Sequence, residues 1–152
     1  MKRLVLLALL FSLSITTFVS AQSKPSQKEV FATTYHNTKT AIETQNYQYV
    51  GYVVYNNEKR QNLESDSNTL RIEKDQVDGK LSSLSTYAFN TKDAKRITEY
   101  TVSFNDDTQQ ITIQFNVGKD QFHIEIKPNG NAFLTLKSGI NNITQTGKIE
   151  RI

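Results

Sequence analysis

Between Thr98 and Lys137 the chain alternates apolar and polar residues through four successive runs, and few folds accept that pattern. Tyr100, Val102 and Phe104 alternate with Thr101, Ser103 and Asn105, and Ile111, Ile113, Phe115 and Val117 alternate with Thr112, Gln114 and Asn116. Phe122, Ile124 and Ile126 then alternate with Gln121, His123 and Glu125, and Ala132, Leu134 and Leu136 with Phe133, Thr135 and Lys137. A period of two buries one face of each strand and leaves the other wet, as in an antiparallel sheet laid on a core. The connections Asn105-Asp106-Asp107-Thr108, Gly118-Lys119-Asp120 and Pro128-Asn129-Gly130 are short and rich in residues that turn the backbone.

Ahead of this block, Ser26-Gln27-Lys28-Glu29 fits a capping box, with a serine N-cap and a glutamate three residues on. Phe31, Tyr35, Thr38 and Ile42 then form one stripe of an amphipathic helix that should end near Gln45. Tyr47, Tyr49, Gly51, Val53 and Tyr55 make one face of the next strand, and Val50, Tyr52 and Val54 the other. Gly51 marks a bulge there. Asn56 to Asn68 reads as a long polar loop. Leu70 and Ile72 begin a second strand, Glu73-Lys74-Asp75-Gln76 a turn, and Val77, Gly79 and Leu81 a third strand. Ser82 to Arg96 is weakly patterned, anchored by Leu84, Tyr87 and Phe89. Ser138 to Asn142 turns the chain into a last strand, Ile143 to Ile152. The expected fold is mainly β, in the α+β sense. An N-terminal amphipathic helix precedes about eight antiparallel strands in a meander, forming a curved sheet or partly open barrel.

Met1-Lys2-Arg3, an apolar run from Leu4 to Phe18 and the small residues Val19-Ser20-Ala21 have the three-part form of a secretory signal peptide. The expected organisation is a signal peptide at 1–21, a polar linker at 22–27 and one domain at 28–152. With no cysteine at the cleavage point a lipid anchor there is excluded. The absence of cysteine throughout suits a bacterial export route rather than a disulfide-rich one. The expected location is periplasmic or secreted, with no membrane span in the mature chain. Without Lys2 and Arg3 the 18 basic residues fall to 16 against 15 acidic ones, a net charge of about +1. Those charges are interspersed, which gives no support to nucleic-acid binding or a polybasic membrane patch.

Four segments carry a family likeness. Glu43-Thr44-Gln45-Asn46-Tyr47-Gln48-Tyr49-Val50-Gly51 resembles a helix exit into a strand with two aromatics and a small residue. Leu70-Arg71-Ile72-Glu73-Lys74-Asp75-Gln76-Val77 is similar to a first hairpin, Asn129-Gly130-Asn131-Ala132-Phe133-Leu134 to an asparagine-glycine turn, and Ile143-Thr144-Gln145-Thr146-Gly147-Lys148-Ile149 to a closing strand. In this order and spacing they resemble the exported bacterial family called domain of unknown function 4251. The resemblance implies export and a helix followed by a β-rich domain, and it brings no activity. The chain departs from that pattern at Ser82-Ser83-Leu84-Ser85 and at Gln145-Thr146, where the family has aromatic residues.

Candidate chemistry is sparse. His36 and His123 have no second ligand at metal spacing. Asp75, Asp78 and Gly79 fail the calcium-loop pattern, because Lys74, Gln76 and Ser85 would fall at ligand positions, and they read as turn residues. Asp106 and Asp107 sit at a hairpin tip, where paired carboxylates do not face one another across a cleft. No Gly-x-Ser-x-Gly motif or Gly-x-Gly phosphate loop occurs, and Ser82-Ser83 has no evident base. Asn142-Ile143-Thr144 is a glycosylation acceptor only in a eukaryotic secretory route. Tyr47, Tyr49, Tyr52 and Tyr55 are either an aromatic platform for a ligand or core packing between sheet and helix.

The reading these features support is a non-enzymatic binding or interaction domain of the cell envelope, with no catalytic, metal or cofactor residue assigned. Its expected partner is an unknown protein or surface met through the sheet. The alternative is a carrier of a small apolar ligand in a cavity between sheet and helix, lined by Tyr49, Phe104, Phe115 and Leu134.

Overall fold

The computed structural model describes residues 24–64 and 67–152. The expected signal peptide, the start of the linker, and Ser65 and Asp66 of the polar loop lie outside the described residues. Among the described residues one helix, α1 (Gln27–Glu43), precedes ten strands: β1 (Asn46–Tyr55), β2 (Arg60–Asn62), β3 (Thr69–Glu73), β4 (Gln76–Ser82), β5 (Ala88–Arg96), β6 (Thr98–Asn105), β7 (Gln110–Val117), β8 (Asp120–Ile126), β9 (Asn131–Ser138) and β10 (Asn141–Arg151). All strand pairings are antiparallel, in the order β5-β4-β3-β1-β10-β9-β8-β7-β6, with β2 beside β1.

Strands β5 and β6 stand at opposite ends of this order, yet only Ile97 separates them in sequence. The sheet must therefore curl until its two ends meet. At the corner the Ile97 amide donates to the Asp75 carbonyl at 2.7 Å, beside β4, while Thr98 pairs with Asn116 on β7. Interior contacts cross the curl as well. The hydroxyls of Tyr47 on β1 and Tyr100 on β6 are 3.1 Å apart. On the adjacent strands β7 and β8 the cross-strand partners Phe115 and Phe122 stack, with ring centroids at 4.6 Å and planes 6° apart.

The alternating block predicts the inner face correctly. Ile111, Ile113, Phe115, Val117, Phe122, Ile124, Ile126, Ala132, Leu134 and Leu136 are buried. Tyr100, Val102 and Phe104 point the same way but are only half-buried, because β6 ends the sheet. The expected strand count and loops need correction. Ser82 to Arg96 contains β5, in which only Phe89 is buried, so no alternation announces it. Asn56 to Asn68 contains the exposed three-residue β2.

The strand β1 corrects the expected face. Gly51 pairs with Gly147 and Val53 with Thr146, so Tyr52 is the extra residue of a bulge and the phase flips. Val54, not Val53, is buried. At Gly147 the backbone itself excludes a side chain, since a Cβ there would stand 2.0 Å from the Val50 carbonyl oxygen and 2.8 Å from Tyr49 Cζ. The turns carry the residues their backbone demands: Gly118 and Gly130 have φ of 61° and 85°.

Helix α1 closes one end of the curl. Its capping box is complete, with the Ser26 amide donating to Glu29 Oε2 at 2.6 Å and the Glu29 amide to Ser26 Oγ at 3.3 Å. It ends at Glu43, with Gln45 at a φ of 48° leading into β1. Only Ala41 and Ile42 are fully buried. The rest of the helix is tied down by polar contacts to the β6–β7 turn.

Candidate functional site

The tyrosines do not form a platform. Tyr47 and Tyr49 are fully buried in the core, while Tyr52 and Tyr55 are half-buried, and the Tyr52 ring lies 5.5 Å from Lys148 Nζ. Burial, then the neighbouring tyrosines, raises the Tyr49 phenol far above its ordinary pKa. The side chains proposed to line a carrier cavity occupy that space instead. Tyr49, Phe115 and Leu134 are packed in the core, and Phe104 is half-buried against it.

Asp106 and Asp107 do sit exposed at the β6–β7 tip, but as staples. Asp106 accepts from Tyr35 Oη at 2.6 Å and Lys39 Nζ at 2.8 Å, and Asp107 lies 3.6 Å from Lys28. Gln109 Nε2 adds a bond to the Lys28 carbonyl at 3.1 Å. Asp75 stands in the β3–β4 turn, whereas Asp78 and Gly79 fall within β4 at a bulge rather than in a turn, because Gly79 adopts a φ of 133°. Asn142 is the second residue of β10 and Ile143 is buried. His36 is exposed on α1 beside Arg151. Among the described residues no three His, Cys, Asp or Glu side chains converge at metal-binding distance.

The feature that the sequence did not disclose is a groove of about 520 Å³ on the outer face of β6 to β9. Its walls are two rows of polar side chains that the register sets side by side. Asn116, Gln121 and Lys137 are successive cross-strand partners, and so are Gln114, His123 and Thr135. Cross-strand partners on one face stand about 5 Å apart, close enough for one ligand to touch several. Gln114 Nε2 lies 3.2 Å from His123 Nδ1, so the amide and the imidazole hold each other in place.

Glu99 completes the groove by an unusual route. The register slips between Thr98 and Thr101, which pair with Asn116 and Gln114, so Glu99 and Tyr100 bulge out of the ladder. Glu99 has a φ of 54°, a conformation that costs a side-chain-bearing residue about 1–2 kcal/mol. The bulge turns Tyr100 inward to Tyr47 and sends the Glu99 carboxylate outward, where it accepts from Asn116 Nδ2 at 2.6 Å. Bulges recur where a strand re-aims a side chain at a site. Larger hollows exist, of about 670 Å³ beside β5 and about 730 Å³ between the α1–β1 and β3–β4 turns, but turn and edge residues line them. The groove draws its walls from the middle of β7, β8 and β9 and from the β6 bulge, and rigid elements hold side chains more exactly than turns do.

No family model matches the sequence, and no curated protein matches it. In structure the chain is similar to a crystal structure of a DUF4251 family protein from Bacteroides eggerthii, with a TM-score of 0.60 and 13% sequence identity, over 82% of this chain and 91% of that one. The chain thus shares the fold of the family that its four sequence segments resemble. No helix among the described residues is long and apolar enough to cross a membrane.

Proposed function

We propose that the chain is an exported DUF4251-type protein of the bacterial envelope, a non-enzymatic binding module that takes a polar partner in the groove on β6 to β9. The observation that carries this reading is Glu99: a strained bulge aims its carboxylate into a hollow already walled by two rows of amide, imidazole and ammonium groups. The volume falls within the ~300–1,000 Å³ of small-ligand sites. The acid–base content argues for binding rather than catalysis, since the Gln114 contact occupies His123 Nδ1 and Glu99 is engaged with Asn116. The carrier alternative has the weaker footing, because rings fill the interior it needs.

Native mass spectrometry of the protein purified gently from a bacterial periplasm tests this reading. A bare chain, or one with a polar adduct lost on mild activation, is the expected result. A reproducible apolar adduct that leaves only on unfolding would overturn it in favour of the carrier.

A further inference from the structure

Resting on that reading of the groove, we propose that its ligand is a short peptide with both ends free, laid across the strands with its ammonium at Glu99 and its carboxylate at Lys137. The two charges stand at opposite ends of the hollow, on β6 and β9. Three strand spacings separate them, roughly 14 Å. An extended chain of four residues spans roughly 13–14 Å. Neither Glu99 nor Lys137 has an ion-pair partner among the described residues.

Between the two ends lie Asn116 and Gln121, one on each intervening strand. Each carboxamide both donates and accepts, which is the complement of a peptide bond crossing overhead. The next row contributes the His123 imidazole and the Thr135 hydroxyl. No phenyl face opens into the groove: Phe115 and Phe122 are turned inward and buried, and the half-buried Phe133, on the outer face of β9 one row beyond Thr135, is not part of the lining. Stacking, the usual anchor of a sugar ring, is therefore missing, while end charges and side-chain amides are present.

Calorimetric and NMR titration of the full exported chain with tetra-alanine, its N-acetylated form, its C-terminal amide and the doubly blocked form tests this. The free peptide should shift the side-chain amide signals of Asn116 and Gln121, and each block should weaken binding by about three- to fivefold, as exposed charge pairs do. In Glu99→Gln acetylation should make no further difference, and in Lys137→Gln amidation should make none. Equal binding of free and doubly blocked peptide would overturn the proposal. If peptides leave the groove signals unmoved while a neutral disaccharide shifts them, the peptide inference fails and the groove reading stands. If neither moves them, both fail.

Discussion

The ring of Phe89 meets the ring of Phe122 edge-on, with centroids 5.0 Å apart and planes at 81°. Phe89 belongs to β5, at one end of the sheet, and Phe122 to β8, with five strands between them in the hydrogen-bonded order. No flat sheet brings those strands together. The contact is thus a direct mark of the curl, and Phe122 carries it on to Phe115 through the stacked pair. Phe115→Ala should cost about 3–5 kcal/mol in denaturant unfolding. A double-mutant cycle on Phe89 and Phe122 should return a coupling of about 0.5–1.5 kcal/mol. A loss below about 1 kcal/mol for Phe115→Ala would mean that its side chain faces outward, and no coupling would mean the ends of the sheet do not close on one another.

Two buried tyrosines separate the worth of a hydroxyl from that of a ring. Tyr47 Oη is bonded to Tyr100, whereas Tyr49 Oη is buried with no partner among the described residues. Tyr47→Phe should therefore lose about 0.5–1.5 kcal/mol, and Tyr49→Phe should be neutral or stabilising. Unfolding midpoints of the two variants check this, and the reverse order would contradict it.

The clasp between α1 and the β6–β7 turn gives stability a pH dependence. Lys39 first, then Tyr35, hydrogen-bonds Asp106 and holds its carboxyl below the usual carboxylate range. A group depressed in the folded state contributes stability above its unfolded pKa, about 3.9, and loses it as pH falls through the folded value. Asp106→Asn should lower the melting temperature at neutral pH, and the two curves should converge as pH falls through the depressed Asp106 value. A gap that stays constant down to acid pH would rule out the charged clasp.

Much of this fold is legible in the sequence because its central strands obey one rule, inward apolar and outward polar. The runs Ile111–Val117, Phe122–Ile126 and Ala132–Leu136 give inner face and turns directly. The rule falters where burial is one-sided or interrupted. The strand β5 buries one side chain, so Ser82 to Arg96 shows only weak patterning, and the extra Tyr52 inverts the pattern of β1 midway. Long-range partners are invisible too. Gln145 looks like a departure from the family's aromatic, but it is fully buried and donates to the Ser82 carbonyl at 2.7 Å, in the other departing segment. Asn68, whose side chain accepts from the Ser82 amide at 2.9 Å, joins them. The groove is hidden for a similar reason. Its residues look like ordinary wet-face positions until register and a bulge assemble them.

Glu99 should show the signature of a residue kept for a site rather than for the fold. Glycine accepts a φ of 54° without strain, so Glu99→Gly should raise stability by about 1 kcal/mol while weakening ligand binding in the groove. Paired unfolding and binding measurements check both halves. A loss of stability would show that the carboxylate serves the fold instead.

The central claim is that recognition occurs on the outer polar face of β6 to β9 and not in the interior. Its most direct test is an NMR spectrum of the protein against a pool of short peptides and neutral saccharides, followed at two sets of signals. Binding should shift the side-chain amides of Gln114, Asn116 and Gln121 and leave the methyls of Ile113, Ile124 and Leu134 in place. Shifts confined to those buried methyls, or no shift in either set, would contradict it.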